Sequence, residues 1–406
     1  MFIENNYKTI VKLYLIILSF LSIYFLAGVN VVSTYNAMTE WVINYQGGFV
    51  RRGLIGELIF SISNIFDLNL RFSFFFLQST FYLIFYYLLY KLLRDLKPNY
   101  FILLAIFFPL FIIFPIAELE AIGRKEILIF IFLLLSINLY FKYLNNNFLI
   151  LFVSISYPIL ILTHEASIFY SFFFISLIFL TSKNIDLLYF LKLFFFSLPS
   201  LICIYAIYFY PHTAQETSQM CAELKKIGEE CGLGAAFISK RIDTHMNEVH
   251  WDLVSFIRYL FIFIVGFFAI FYLSKKTRFN NNLVNSYFQK RSFLFHLSIL
   301  ILPTLFMFII AVDSGRWTHI SYTCTFIYYF GLLKNKFLLL DGKIFRFSTP
   351  NLNLKKFFYI FVFLMVCLSW NPKAVYHEDL GSIPLYRALE KMPNFYNNIF
   401  KIEIFR

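Results

Sequence analysis

Residues 147–182 read NFLILFVSISYPILILT-HE-ASIFYSFFFISLIFLTS, two apolar runs of 17 residues around one ionisable pair. No residue within either run carries a formal charge. Each run approaches the roughly 20 residues that an α-helix needs to cross the hydrocarbon of a bilayer. The pair His164-Glu165 leaves room only for a turn between them. The stretch therefore predicts a tight hairpin of two membrane helices.

The same pattern extends over the whole chain. Hydrophobic residues make up 60%, charged residues 14%, and the mean hydropathy is +0.71, all outside the range of soluble domains. We therefore predict an all-α polytopic membrane protein in which residues 1–406 form a single transmembrane domain of about 11 helices. The candidate spans are 11–33, 73–93, 100–117, 127–143, 147–163, 166–182, 188–210, 253–274, 292–312, 318–334 and 355–370.

The distribution of lysine and arginine predicts the topology. Alternate connections are basic, and they hold 19 of the 35 Lys and Arg residues beside only four acids. Short basic loops stay in the cytoplasm, so the N-terminus is expected inside. The formal charge of +12 is then explained mostly by the basic cytoplasmic loops of a membrane protein. We therefore predict no nucleic-acid partner.

The outer side is predicted to hold loops 34–72 and 211–252 and the tail 371–406. The tail has apolar residues at helical spacing, which predicts an amphipathic segment on the membrane surface or on the loops. Five short polar islands fall on this side as well. They are Tyr45 to Gly53, Glu118 to Glu126, His164-Glu165, Cys221 to Cys231, and Asp313 to Trp317.

The first island reads YQGGFVRRG and has the residue types of a phosphate site. Paired glycines allow backbone N–H groups to point one way, and Arg51 and Arg52 precede a run that can start a helix. Because neighbouring residues diverge on a helix, only one arginine is expected to face the ligand. The alternative is an interfacial helix with arginines that reach lipid headgroups. Glu40, just upstream, is the first candidate for a catalytic base.

The second island places five charges between two apolar segments. Arg124 or Lys125 is expected to face the same ligand as Arg51, although an ion pair between Glu120 and Arg124, four residues apart, is the simpler reading.

At the third island, His164 and Glu165 lie where charge is costly and usually functional. Histidine suits proton transfer near neutral pH, and Glu165 could orient it or act itself. Alternatively, the pair is a hairpin tip in water.

Two further islands have open interpretations. Arg316 could supply another cation, or its neighbours Asp313 and Ser314 could cap two helices. Cys221 and Cys231 lie in an outer loop, where an oxidising compartment permits a disulfide, the alternative being two unpaired thiols. The outer histidines show no zinc spacing, so no metal and no cofactor are predicted.

The sequence contains no nucleotide-binding Gly/Lys loop, no serine elbow and no redox cysteine pair. An enzyme on the outer face without nucleotide needs a substrate that is already activated and already in the membrane, and lipid-linked diphosphate sugars meet this requirement. Arginines would stabilise the diphosphate leaving group while a carboxylate or histidine deprotonates the acceptor hydroxyl.

The chain resembles the O-antigen and capsular polysaccharide repeat-unit polymerases, membrane glycosyltransferases with a GT-C-like architecture. The resemblance covers the chain's size, span count and outward arginines, with GGFVRRG (47–53), GRKE (123–126) and HE (164–165) as its specific carriers. The chain differs from many GT-C transferases in one respect: its first loop lacks their paired acidic residues.

The resemblance implies a location in the bacterial inner membrane and the transfer of a growing glycan from undecaprenyl diphosphate to a lipid-linked repeat unit. It also implies a flippase and a chain-length regulator as pathway partners. The alternatives are a transferase that adds single sugars from a polyprenyl monophosphate, and a flippase or transporter. Charge concentrated at one face disfavours a transport pathway through the spans.

Overall fold

The computed structural model describes residues 2–31, 36–182, 185–210, 212–232, 234, 238, 253–311, 313–340, 354–374 and 383–399. These residues are mostly helical, with one antiparallel pair of three-residue strands, so the fold is all-α as predicted. The elements are α1 (Phe2–Val31), α2 (Asn36–Trp41), α3 (Gly53–Ile65), α4 (Leu70–Leu93), α5 (Tyr100–Phe107), α6 (Phe114–Ala117), α7 (Ile127–Tyr143), α8 (Asn146–Thr163), a 3-10 helix (Glu165–Tyr170), α9 (Ser171–Thr181), α10 (Leu187–Phe209), α11 (Ala214–Lys226), α12 (Leu253–Lys275), β1 (Thr277–Phe279), α13 (Ser286–Gln289), α14 (Phe293–Ile301), a second 3-10 helix (Leu302–Phe306), α15 (Met307–Ile310), α16 (Ser314–Lys334), β2 (Leu338–Leu340), α17 (Leu354–Leu368) and α18 (Pro384–Ile399).

By length and composition, six helical segments of the described chain are long and apolar enough to cross a membrane, which is consistent with an all-α membrane protein. They present many large apolar side chains on the outside of the bundle. The clearest case is α10, which has no buried residue and packs along α8. The six segments are Asn6–Val31, Leu70–Leu93, Asn146–Thr163, Leu187–Phe209, Leu253–Lys275 and Phe293–Ile310.

Several of the other predicted spans are shorter or more polar than expected. The segment 100–117 consists of α5, with eight residues, and α6, with four, and at 1.5 Å per residue neither crosses a bilayer. Their side chains are almost all buried, so their hydrophobicity reflects burial in the bundle. The predicted sixth span begins as a 3-10 helix at Glu165. The count of about 11 spans stays a prediction.

Polar side chains start the helices and fix where they begin. Asn69, Asn99, Asn145 and Asp186 each accept hydrogen bonds from backbone N–H groups of the following helical turn. Each therefore satisfies donors that the helix itself leaves unpaired. The caps mark helix starts in an otherwise apolar sequence.

Helix α16 runs through the centre of the bundle. Every residue from Ser314 to Leu332 is buried, although many carry hydroxyl groups. Thr318 and Thr325 donate to carbonyl oxygens one turn earlier, and Tyr322 donates to the carbonyl oxygen of Ala105 at 2.8 Å. Because most of the hydroxyls are satisfied inside the protein, with that of Ser314 an exception among the described residues, the helix can be polar and still buried.

The basic loops predicted to be cytoplasmic contact one another. Lys334 Nζ lies 3.1 Å from Asp95 and also donates to the carbonyl oxygen of Lys91. Strands β1 and β2 join the connections after α12 and α16. The helices that start from these loops carry the chain to the opposite end, where the polar islands lie.

The predicted outer tail contains the helix α18, which is amphipathic. On α18, Leu385, Leu389 and Tyr396 are exposed, whereas Arg387 and Ala388 are buried against the bundle. The apolar side of α18 therefore faces outward, which suits a membrane surface better than packing on loops. Within the tail, residues 375–382 and 400–406 lie outside the described part, as do residues 239–252 of the outer loop 211–252.

Candidate functional site

Five segments bring charged side chains together at the end of the bundle that carries the polar islands. They are α2, the loop before α3, the turn before α7, the junction of α8 with the 3-10 helix, and the start of α16. We call the group the charged cluster, and eight of its ten members were singled out from the sequence. Its members are Glu40, Arg51, Arg52, Arg124, Lys125, Glu126, His164, Glu165, Asp313 and Arg316.

Arg51 and Arg52 both contact the carboxylate of Glu165. Arg52 donates from Nε to Oε2 at 2.8 Å and from Nη2 to Oε1 at 2.7 Å, and Arg51 Nη1 lies 3.3 Å from Oε1. The sequence predicts that adjacent arginines diverge, yet here they converge. The reason is the backbone of Arg52, which has φ 66° and ψ 6°. This left-handed conformation costs a non-glycine residue about 1–2 kcal/mol.

The turn before α7 directs three consecutive side chains to three different segments. Arg124 Nη1 donates to Glu40 Oε1 at 2.5 Å, and Lys125 Nζ donates to the carbonyl oxygen of Arg52 at 2.6 Å. Glu126 faces His164 and Arg316 instead. The turn therefore links the first loop to the central helix. The local pair of Arg124 with Glu120 exists but is longer, at 3.8 Å.

Glu126 is the centre of a second, deeper group. His164 Nε2 lies 3.4 Å and Arg316 Nε 3.2 Å from its Oε1 atom. Arg316 also contacts Asp313 at 2.7 Å and lies over the ring of Trp317, 4.4 Å from its centroid. Arg316 is thus held by two carboxylates and an aromatic ring. This leaves it less available to a ligand than Arg51 or Arg52.

The fixed charges set the protonation of the groups between the helices. Burial raises the pKa of the Glu40 carboxyl, but Arg124, Arg316 and Arg52 outweigh it and hold the pKa below its usual range. Burial lowers the pKa of the Lys125 ammonium to about 7, against the opposing effect of Glu40. Glu40 is therefore ionised at neutral pH, whereas burial favours the neutral form of Lys125.

His164 is held as a neutral ring. Burial, followed by the charge of Arg52, lowers its pKa to about 4. Its Nδ1 atom accepts a hydrogen bond from the backbone N–H of Ala166 at 3.2 Å, which assigns the proton to Nε2, on the side of Glu126. Protonation of Nδ1 would break the bond to Ala166. The buried ring therefore has no lone pair available for a substrate proton.

The three predicted catalytic residues differ in what they can still bind. Both oxygens of Glu165 accept hydrogen bonds from Arg52. Oε1 of Glu40 binds Arg124, but its Oε2 atom is buried without a hydrogen-bond partner among the described residues. An unpartnered carboxylate oxygen is costly unless something binds it. Of the three predicted catalytic residues, Glu40 is therefore the one with an oxygen that can accept a further hydrogen bond. Both oxygens of Glu126, deeper in the cluster, also lack a hydrogen-bond partner among the described residues, although Oε1 lies near His164 and Arg316.

Close packing explains the glycines of the first loop. A Cβ atom on Gly47 would lie 2.0 Å from the carbonyl oxygen of Glu216 on α11, and one on Gly56 would lie 1.9 Å from that of Ile43. Gly48 has φ 128°, which favours glycine. The indole of Trp41 donates to the carbonyl oxygen of Gly123 and anchors α2 to the turn. A side chain at Gly47 or Gly48 would force the first loop away from α11, and one at Gly56 would force α3 away from the segment that follows α2.

The cysteine island covers the first loop. Cys221 and Cys231 are disulfide-bonded, with Cα atoms 5.2 Å apart, and the bond closes the end of α11. Met220 is fully buried, with its sulfur 3.5 Å from the backbone nitrogen of Asn44. Glu229 pairs with Arg71 at 2.8 Å. The segment therefore forms a wall of the site and contributes no side chain to the charged cluster.

Sequence reasoning missed the contacts between Glu118 and the tail. Arg387 Nη2 on α18 lies 2.6 Å from Glu118 Oε1, and Asn371 donates to the same oxygen. Lys391 donates to the carbonyl oxygen of Ala117 at 3.2 Å. No sequence signal links a turn to a residue more than 250 positions away. Glu126 was not singled out either, although it lies within the GRKE motif next to an apolar run, where charge is costly and usually functional, and that signal could have found it.

An internal cavity adjoins the charged cluster. Its volume is about 20 Å³, on the scale of one water molecule, and Arg124, Glu126 and Arg316 form its charged side. Aromatic and aliphatic side chains from α4, α7 and α16 form most of its apolar lining. They include Tyr82, Phe85, Tyr86, Ile127, Phe130 and Ile320. On this side, the cluster therefore lies against a small and largely apolar cavity.

Among the described residues, no three His, Cys, Asp or Glu side chains are placed to hold a metal ion. Comparison with family models, curated proteins and solved structures gives no match. The function therefore has to be inferred from the chemistry of the site.

Proposed function

We propose that the protein is a membrane-embedded glycosyltransferase whose donor is a glycan linked to a polyprenyl diphosphate. In this proposal it polymerises repeat units of a bacterial surface polysaccharide at the outer face of the inner membrane. The observation that carries the proposal is the convergence of Arg51, Arg52 and Arg124 beside Glu40, whose Oε2 atom has no partner among the described residues. Cations and one available carboxylate are the groups that this transfer needs.

The arginines would bind the diphosphate and stabilise it as a leaving group. A guanidinium offers several N–H donors in a plane and matches phosphate oxygens well. Arg51 and Arg52 are the more accessible of the cluster's arginines, with side chains 13% and 21% exposed. As the bond between the sugar and the phosphate breaks, negative charge grows on the diphosphate. Cations fixed beforehand stabilise that charge without reorganisation.

Glu40 would accept the proton of the acceptor hydroxyl. The new bond forms between the sugar C1 atom and the acceptor oxygen, while the bond from C1 to the diphosphate breaks. The proton passes to Glu40 Oε2 and the polyprenyl diphosphate leaves. Because neighbouring arginines depress the pKa of Glu40, proton transfer is expected late, once the acceptor oxygen has begun to bond to C1.

Helix α3 supports a lipid-linked donor. It begins directly after Arg52 and exposes Leu58, Ile62 and Ile65 on one side, continued by Phe66. These residues repeat at helical spacing and form an apolar stripe that leads away from the arginines. A polyprenyl chain could lie along this stripe while its diphosphate reaches Arg51 and Arg52.

The proposal can be tested with purified protein in proteoliposomes and a lipid-linked repeat unit as the sole substrate. The wild type is expected to produce a ladder of glycans on a gel, and Arg124→Gln to reduce the rate at least about 100-fold, as loss of one transition-state contact does. Arg94→Gln is the matched control, because Arg94 pairs with Asp95 at the opposite end of the bundle.

Two outcomes would reject the polymerase, and a third would reject the assignment of its active site. Addition of one sugar from a polyprenyl monophosphate donor would identify a single-sugar transferase. Movement of the lipid-linked glycan across the bilayer without transfer would identify a flippase. A normal ladder from Arg124→Gln would show that the charged cluster is not the active site.

A further inference from the structure

Lys125 differs from the other cations of the charged cluster. Its side chain is almost completely buried, with 1% of the residue exposed. Its Nζ atom donates to the carbonyl oxygen of Arg52 at 2.6 Å. Within the described part of the chain, Lys125 forms no ion pair at 4.0 Å or less. Lys125 therefore binds backbone, whereas its neighbours Arg124 and Glu126 bind side chains.

The carbonyl group that Lys125 binds belongs to the strained residue of the site. Arg52 is left-handed, and its side chain forms no capping hydrogen bond to α3. This conformation turns the guanidiniums of Arg51 and Arg52 toward one point, the carboxylate of Glu165. In the right-handed conformation that arginine prefers, the two side chains would diverge. A strained residue persists only where its surroundings hold it.

We propose that Lys125 is a positioning residue, which holds the Arg52 backbone so that Arg51 and Arg52 bind one diphosphate as a pair. This inference rests on the proposed function and replaces the role of direct diphosphate ligand predicted for Lys125 from the sequence. The burial of Nζ and its hydrogen bond to a main-chain oxygen support it. Lys125 then acts through Arg52 and never touches the substrate.

The inference predicts non-additivity in a double-mutant cycle. The probe is inorganic pyrophosphate, titrated calorimetrically into the purified full-length protein and its variants Lys125→Met, Arg52→Gln and the double variant. Each single change is expected to weaken pyrophosphate binding about tenfold. The double variant is expected to bind as weakly as Arg52→Gln alone, because residues that act through one another do not add.

Lys391→Met is the matched control, since Lys391 also donates to a backbone carbonyl oxygen but lies on α18. It is expected to bind pyrophosphate like the wild type. If Lys125→Met does not fold, Lys125→Gln takes its place, because glutamine keeps a side-chain donor without the charge. The same non-additivity with Arg52→Gln is then expected.

The outcomes separate the inference from the function on which it rests. Effects of Lys125→Met and Arg52→Gln that add in the double variant would make Lys125 a direct ligand and overturn the inference alone. Unchanged binding in Lys125→Met would overturn it too. Failure of the wild type to bind pyrophosphate would reject the diphosphate site and the role of Lys125 with it.

Discussion

Replacing Glu40 with glutamine removes the proposed base and keeps its volume. The amide cannot accept the proton of a hydroxyl, so transfer of the glycan is expected to slow by roughly 10²–10⁴-fold, the usual contribution of a general base. The binding of the lipid-linked donor is expected to change much less, because Arg51 and Arg52 remain in place. The loss should therefore appear in the maximal rate.

The same change also perturbs an ion pair. Arg124 is buried and would lose the carboxylate 2.5 Å from its Nη1 atom. Breaking such a pair costs about 3–5 kcal/mol, and Arg124 keeps a hydrogen bond to the carbonyl oxygen of Glu120, which places the cost near the lower end. A lower unfolding temperature is thus expected alongside the slower reaction, and activity has to be measured below it.

The assay is the rate of ladder formation in proteoliposomes at saturating donor. Glu223→Gln is the control, because Glu223 pairs with Lys226 on an exposed face of α11. Exposed pairs contribute at most about 1 kcal/mol, so both rate and stability should be unchanged. If folded Glu40→Gln retains half of the wild-type rate, Glu40 is not the base.

Two more predictions concern the disulfide between Cys221 and Cys231 and the buried side chain of His164. Cys221→Ser is expected to destabilise the folded protein by about 3 kcal/mol, because the disulfide no longer closes the loop. Proteolysis after Cys231 should therefore be faster in the variant than in the disulfide-bonded wild type. The wild type under reducing conditions is the control and should be cleaved as fast as the variant. His164 has its pKa lowered to about 4 by burial, so below the ordinary value of 6.5 the unfolded chain takes up the proton first. Stability is therefore lost between about pH 6.5 and 4. This loss should be smaller in His164→Gln, and an equal loss in both proteins would contradict the assignment of a neutral ring.

Hydropathy predicted the all-α membrane fold but could not separate membrane spans from buried interior. The segment 100–117 is more apolar than 127–143, which contains Lys142, yet the first breaks into α5 and α6 and the second is a 17-residue helix. Apolar side chains favour lipid and a protein core alike, because both exclude water. The length of the helix in the folded protein distinguishes a membrane span from a buried segment, and that length depends on tertiary packing.

The composition of the charged cluster was predictable because charge in apolar surroundings is rare. Its geometry was not. The convergence of Arg51 and Arg52 depends on one backbone angle at Arg52, and nothing in the local sequence specifies a left-handed arginine. Both ring nitrogens of His164 are occupied, Nδ1 by the backbone N–H of Ala166 and Nε2 by the nearby carboxylate of Glu126. The sequence alone does not place these two residues around the ring.

The central helix α16 has a consequence for membrane insertion. Its serines, threonines and tyrosines make it too polar to be one of the six candidate spans. Insertion of a helix into lipid depends on its own hydrophobicity. The helices α4, α7, α9, α12 and α14 that pack around α16 all precede it in the chain. Because synthesis starts at the N-terminus, the helices that surround α16 are made before it. We therefore expect α16 to insert between these helices instead of partitioning into lipid on its own.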